Sequence, residues 1–174
     1  MTAQAMERLY YDEEWHALAT TPLEAYLAST GERPPGGGFS TALSRGYIGS
    51  WEIKRDRLYL VGLDLVFISP MQGDKSAGRK QGLRKVFPDC DEVLADWFTG
   101  TLRCPQGEKV AYVHGGFGST YEKDLLIEVK AGVVQSVKVK KGKPGTPQRD
   151  LGRPAQYVGS GIMAWVFDHM KRGQ

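Results

Sequence analysis

Residues 46–68 read GYIGSWEIKRDRLYLVGLDLVFI, and their periodicity decides the fold class. In the first half, Tyr47, Trp51 and Ile53 are apolar while Ser50, Glu52 and Lys54 fall on the other side, the period-two signature of a half-buried strand. Lys54, Arg55 and Asp56 form a tight-turn signal. Residues 57–68 then run apolar on both faces, as a strand does in the middle of a sheet or barrel. Two such strands across a short polar turn predict a β-hairpin. Asp64 interrupts the apolar run. A carboxylate in a buried strand must be paired or hydrogen-bonded, and Arg45 or Arg103 is the expected partner.

The same period continues toward the C-terminus. Phe98, Leu102 and Cys104 share one side of a strand, with Thr99, Thr101 and Arg103 on the other. Pro105-Gln106-Gly107 predicts a turn into a strand over 108–114, where Val110, Tyr112 and His114 share a face. The glycine-rich GGFGS leads to a strand over 122–130. Ala131-Gly132 closes a hairpin onto residues 133–140, where valines alternate with Ser136, Lys138 and Lys140. Six strands result, with a seventh expected near 156–159. Ile162, Trp165, Val166, His169 and Met170 then recur at helical spacing, so a C-terminal amphipathic helix capped by Ser160 is expected.

Upstream of the hairpin the patterning differs. Residues 6–18 carry mixed helical periodicity, and Thr21-Pro22-Leu23-Glu24 offers an N-cap, a first-turn proline and a first-turn acid for a short helix to about Ala28. Residues 31–38 (GERPPGGG) read as a linker. Residues 70–85 read as an exposed basic loop, and Asp89 or Asp91 as the cap of a turn or two of helix through Ala95. The expectation is an α+β fold, mainly antiparallel β in a bent sheet or small barrel of six to seven strands. Short N-terminal helices and a C-terminal helix flank it. Residues 1–38 form an N-terminal helical and linker segment, and 39–174 a single β-rich domain.

Composition agrees with one folded domain. The chain has 174 residues and 19.2 kDa, is 41% hydrophobic and 25% charged, and so lies outside the disordered class. Its 22 glycines are nearly twice the usual ~7% and suit a turn-rich β protein. No apolar run approaches the roughly 18 residues of a membrane span, and the N-terminus lacks a secretory signal pattern. Two cysteines, Cys90 and Cys104, make neither a disulfide framework nor a metal quartet, so a reduced, cytoplasmic protein with no metal and no cofactor is expected. The net charge of +3 is uneven: residues 101–174 hold twelve basic and six acidic side chains, residues 1–50 three and six. Two clusters concentrate the positive field: Lys75, Arg79, Lys80, Arg84 and Lys85 over residues 75–85, and Lys138, Lys140, Lys141, Lys143, Arg149 and Arg153 against Asp150 over residues 138–153. Such clusters attract polyanions; their plainer reading is a pair of solvated loops.

Three stretches carry a resemblance: RGYIGSWEI (45–53) with LYL (58–60), ADWFTGTLRCPQGE (95–108) and YVHGGFGSTYEKDLLIEV (112–129). Together they resemble a family of small, uncharacterised bacterial proteins with an RGYxxTWEI, LYL, DWFTGxLRxPQG, YVHxGxGSxYEKDL pattern. The resemblance covers about residues 40–130. It implies an intracellular bacterial or mobile-element origin and brings no activity with it. The chain departs from the pattern at 70–85, which is expanded, and at 138–160, which is more basic and proline-rich.

The richest chemistry lies in residues 112–122. Gly115, Gly116 and Gly118 let backbone N–H groups approach a ligand, and Ser119 and Thr120 add donors, as in a phosphate-cradling nest. Neither a P-loop nor a dinucleotide fingerprint is present; the plain alternative is a glycine-rich loop between strands. Tyr47, Tyr112 and Tyr121 beside Arg45, Arg103 and Lys123 suit a ring-stacking, phosphate-gripping pocket. The candidate ligand residues are therefore Arg45, Tyr47, Arg103, Tyr112, His114, Gly116, Ser119, Tyr121 and Lys123. His114 with Glu122 or Asp124 forms the one candidate acid–base pair. Cys104 reads as a small core residue.

These residues favour a non-catalytic binding protein for an anionic small molecule, with a nucleotide-type ligand expected. Sequestration of a nucleotide signal is the biology that the resemblance suggests. One alternative is a nucleic-acid or nucleoprotein-binding anti-defence or regulatory protein acting through the basic clusters. Another is a small phosphoester hydrolase using His114 and Glu122. No membrane partner is expected, and a homodimer is left open.

Overall fold

The computed structural model describes residues 2–34, 41–65 and 75–142. The expected C-terminal helix, the seventh strand near 156–159 and Lys143 lie outside these residues. The hairpin read first from the sequence is present: β3 (Tyr47–Lys54) pairs antiparallel with β4 (Arg57–Leu65). Arg55 and Asp56 turn between them, both at positive φ. Tyr47, Trp51, Leu58, Leu60 and Leu63 are buried, each contributing about 1.5–3 kcal/mol of apolar burial.

The N-terminal segment corrects the reading made from periodicity. Residues 7–18 are not helical but a second hairpin, β1 (Glu7–Tyr11) and β2 (Glu14–Leu18), turning at Asp12 and Glu13 with positive φ. The period-two set Glu7, Leu9 and Tyr11 was masked by a carboxylate at a core position. β1 runs parallel to β3, with Leu9 opposite Trp51, so the sheet is mixed rather than antiparallel throughout. The expected boundary at 38 therefore leaves two strands of this sheet on its N-terminal side.

The short helix α1 (Leu23–Thr30) forms where expected, two residues longer, with Pro22 rather than Thr21 at the cap. Gly31 ends it in a left-handed conformation, donating its N–H to the Leu27 carbonyl at 2.9 Å.

Residues 75–86 are a helix, α2, and not a loop. Lys, Arg and Gln propagate a helix well enough to outweigh two internal glycines. One of those glycines serves contact: a Cβ on Gly82 would collide with the Leu63 carbonyl, while Gly62 on the facing β4 lies under Arg79. Residues 89–95, expected to be helical, instead give the two-residue strand β5 (Val93–Leu94) on β4. Tyr26 of α1 meets Phe87 and Trp97 at centroid distances of 4.8 and 4.9 Å, joining the helices to the sheet.

The remaining strands are β6 (Gly100–Ala111), β7 (Thr120–Lys130) and β8 (Val133–Lys141). The turn expected at 105–107 is a bulge within one long strand, with Gly107 at φ 78°. The β7–β8 hairpin closes at Ala131-Gly132 as predicted. The sheet order is β2-β1-β3-β4-β8-β7-β6, with β5 also on β4. The sheet is open, not a closed barrel. The ends of the path nevertheless approach: Ala19 N–H donates to the Arg103 carbonyl at 2.8 Å, and the Thr20 hydroxyl accepts from Arg103 N–H at 3.0 Å. No helix among the described residues is long and apolar enough to cross a membrane.

Candidate functional site: the loop end of the β6–β7 hairpin

Two buried arginines hold the connection between β6 and β7. Arg103 donates through Nε to Asp124 Oδ1 at 2.9 Å, through Nη1 to the Phe117 carbonyl at 2.6 Å and through Nη2 to the Ser119 carbonyl at 2.8 Å. Arg45 donates to Glu7 Oε1 at 3.2 Å and to the Ala5 carbonyl at 2.8 Å, with its guanidinium over the rings of Tyr47 and Phe117. Glu7 also accepts from the Trp51 indole at 2.6 Å, and the Tyr47 hydroxyl donates to Glu24 Oε1 at 2.8 Å. Burial pushes the Glu7 carboxyl above its ordinary value, against the opposing pull of Arg45, and pushes the Tyr47 hydroxyl well up.

Arg45, Tyr47 and Arg103 were expected at a ligand. They lie in the interior instead, bonded to protein groups: Arg103 and Arg45 support the loop, and Tyr47 is held by Glu24 of α1. Glu7 and Glu24 went unrecognised in the sequence. The signal for Glu7 was its place on the Leu9 and Tyr11 face of a strand. Asp64 also has different partners from those expected. It is only half-buried and pairs with Arg8 and, at 3.4 Å, with Arg79.

The loop itself uses several of its amides internally. Val113 N–H donates to Ser119 Oγ at 3.2 Å, Gly115 N–H to the Val113 carbonyl at 3.0 Å, and Gly118 N–H to the Gly115 carbonyl at 3.2 Å. The Gly116 carbonyl accepts from Gln4 N–H at 2.9 Å, tying the loop to the N-terminal segment. The expected nest is therefore much reduced, and Gly116 and Ser119 are buried.

What reaches solvent is a cluster of rings and cations. Lys109 Nζ lies 5.0 Å from the centroid of Tyr112 and 5.8 Å from that of Tyr121. Tyr112 is 51% exposed, and its ring meets His114 edge-on at 4.6 Å. The register places Lys109 opposite Tyr121 and Lys123 opposite Lys141, on the same face of the hairpin. Tyr112, His114, Tyr121 and Lys123 thus share one end of the sheet, joined by Lys109 and Lys141.

The candidate acid–base pair does not assemble. Asp124 is buried against Arg103, Glu122 lies over Gly107, and among the described residues no ion pair joins His114 to Glu122. Neither is there a metal-holding group of His, Cys, Asp and Glu among the described residues.

The basic clusters fare unequally. Arg79 pairs with Asp64, and Arg84 pairs with Asp91 at 2.6 Å, while Lys80 and Lys85 are exposed. Lys75 opens α2, and Lys138, Lys140 and Lys141 are exposed along β8. With this geometry in view, no family model, no curated protein and no solved structure matches the chain, and the resemblance in the three spaced motifs rests on those residues alone.

Proposed function

We propose that this is a non-catalytic binding protein that recognises an anionic ligand of nucleotide type at the loop end of the β6–β7 hairpin. One observation carries the reading: the Lys109 ammonium sits between the rings of Tyr112 and Tyr121, beside a directly opposed pair of lysines, Lys123 and Lys141. Like charges facing each other across strands are unfavourable by themselves, and a phosphate between them removes that repulsion. An exposed tyrosine offers a face for a base, a contact of about 1–3 kcal/mol. The hydrolase alternative has no comparable support, because Asp124 is engaged by Arg103 and His114 is not joined to Glu122.

The test is calorimetry of nucleotide-free protein against a panel of cyclic and linear nucleotides. At least one binds, and Tyr112→Ala or Lys109→Ala each lowers its affinity about tenfold, the equivalent of ~1.4 kcal/mol. No binding across the panel, or binding indifferent to both substitutions, refutes the reading.

A further inference from the structure

The outer edge of β8 meets that site only at its last residue, Lys141. β8 meets β4 at a single register pair, Arg57 with Val133, supported by the hydrogen bond from Val134 N–H to the Asp56 carbonyl at 2.8 Å. The strands then diverge, and β4 pairs instead with β5 at Tyr59 and Leu60. From Gln135 to Lys141 no described strand pairs with this edge, although the other edge is fully laddered to β7. The side chains there are divided by face. Val137 and Val139 lie opposite the buried Ile127 and Leu125, yet are 40% and 61% exposed. On the reverse face Lys138 and Lys140 are both exposed.

We infer that the β8 edge receives an extended segment of a partner protein as an added strand, one whose residues alternate apolar and acidic. An edge strand offers a row of main-chain donors and acceptors, and the alternating side chains set which strand fits. Apolar residues of the incoming strand cover Val137 and Val139, and acidic residues meet Lys138 and Lys140. A second copy of this chain fits poorly. Antiparallel pairing of two β8 edges brings the lysines of both onto one face, where like charges repel; lysine on an edge strand commonly guards against such self-pairing. A nucleic acid would use the lysines and leave both the valines and the backbone edge uncovered. This inference rests on Val137, Lys138, Val139 and Lys140, whereas the ligand reading uses Lys109, Tyr112, Tyr121, Lys123 and Lys141.

The experiment uses the full chain with a labelled peptide alternating valine and glutamate. Fluorescence anisotropy gives the affinity, and hydrogen exchange reads the outward amides between Gln135 and Lys141. The peptide is expected to bind and to slow those amides at least tenfold. The double variant Lys138→Glu, Lys140→Glu should lose the valine–glutamate peptide and accept its valine–lysine counterpart. Equal binding of a peptide of the same composition without alternation overturns the inference, because charge alone would then suffice. Displacement of the peptide by a single-stranded oligonucleotide overturns it in favour of a polyanion surface. Outward amides already protected in the free monomer overturn it by showing that the chain covers its own edge. Protection that appears with self-association assigns the edge to a second copy and overturns it as well.

Discussion

Arg103 and Asp124 form an ion pair of 2.9 Å in which the side chains are 0% and 1% exposed. They come from adjacent strands, and the arginine's remaining donors fix the carbonyls of Phe117 and Ser119. The pair is thus a fold element and an anchor of the loop beneath the candidate site. Removing one partner leaves an uncompensated buried charge, at a cost of about 3–5 kcal/mol. Arg103→Met is expected to lose that much in urea unfolding. Adding Asp124→Leu should restore part of it, since the orphaned carboxylate is then gone. A double variant no more stable than the single one would show that the carbonyl contacts of Arg103 matter more than the charge pair.

Gly82 gives a prediction whose sign decides the docking of α2. At an exposed position inside a helix, Gly→Ala gains about 0.8–1 kcal/mol. Here the added Cβ runs into the Leu63 carbonyl, a backbone atom that cannot swing aside. Gly82→Ala is therefore expected to destabilise by about 1–3 kcal/mol, the range for overpacking. A stabilised variant, by chemical denaturation, would place α2 away from β4.

Glu7 predicts a pH dependence. Burial raises its folded value above the ordinary 4.5, while in the unfolded chain it ionises near that value. Between the two, the folded protein keeps a proton that the unfolded chain has released. Stability therefore falls as pH climbs from 4.5 through the raised value, then levels. Asp91, lowered by Arg84, acts below the ordinary aspartate value of 3.8 and so lies outside this window. Urea midpoints across the acid range should decline in the wild type, and Glu7→Gln should flatten that decline while lowering stability throughout. An unchanged slope in Glu7→Gln would assign the titration to another group.

The two thiols should behave differently. Cys104 is buried and its thiol is pushed up to about 12, chiefly by burial and secondarily by Asp124. Cys90 is partly accessible. Iodoacetamide at neutral pH should modify Cys90 alone in the native protein and both cysteines in denaturant, as counted by intact mass. Rapid native labelling of Cys104 would contradict its place in the core.

The legibility of the sequence followed the locality of the forces. The β3–β4 and β7–β8 hairpins were readable because alternation and turn residues lie side by side in the chain. The β1–β2 hairpin was not, because Glu7 occupies a core position that partners distant in sequence, Arg45, Trp51 and the Gly49 backbone, make tolerable. Helix α2 was hidden by its charges and glycines; the role of Gly82 appears only against the β4 backbone. Tyr112, His114, Tyr121 and Lys123, expected at a ligand, lie together at one end of the sheet. Arg45 and Arg103 were misassigned because side-chain chemistry alone does not tell a ligand's anion from a buried carboxylate.

The parallel pairing of Leu9 with Trp51, and the hydrogen bond from Ala19 to Arg103, carry a consequence for vectorial synthesis. The ribosome delivers β1 and β2 before β3, their sheet neighbour, and their far side is covered only after residue 103 emerges. Pairings so distant in sequence form slowly. The earliest strands are therefore among the last to be secured, and their edges stay open to other nascent chains in the interval. A ribosome-stalled chain ending before Gly100 should accordingly leave the first hairpin open to protease, while one extending past Lys141 should protect it.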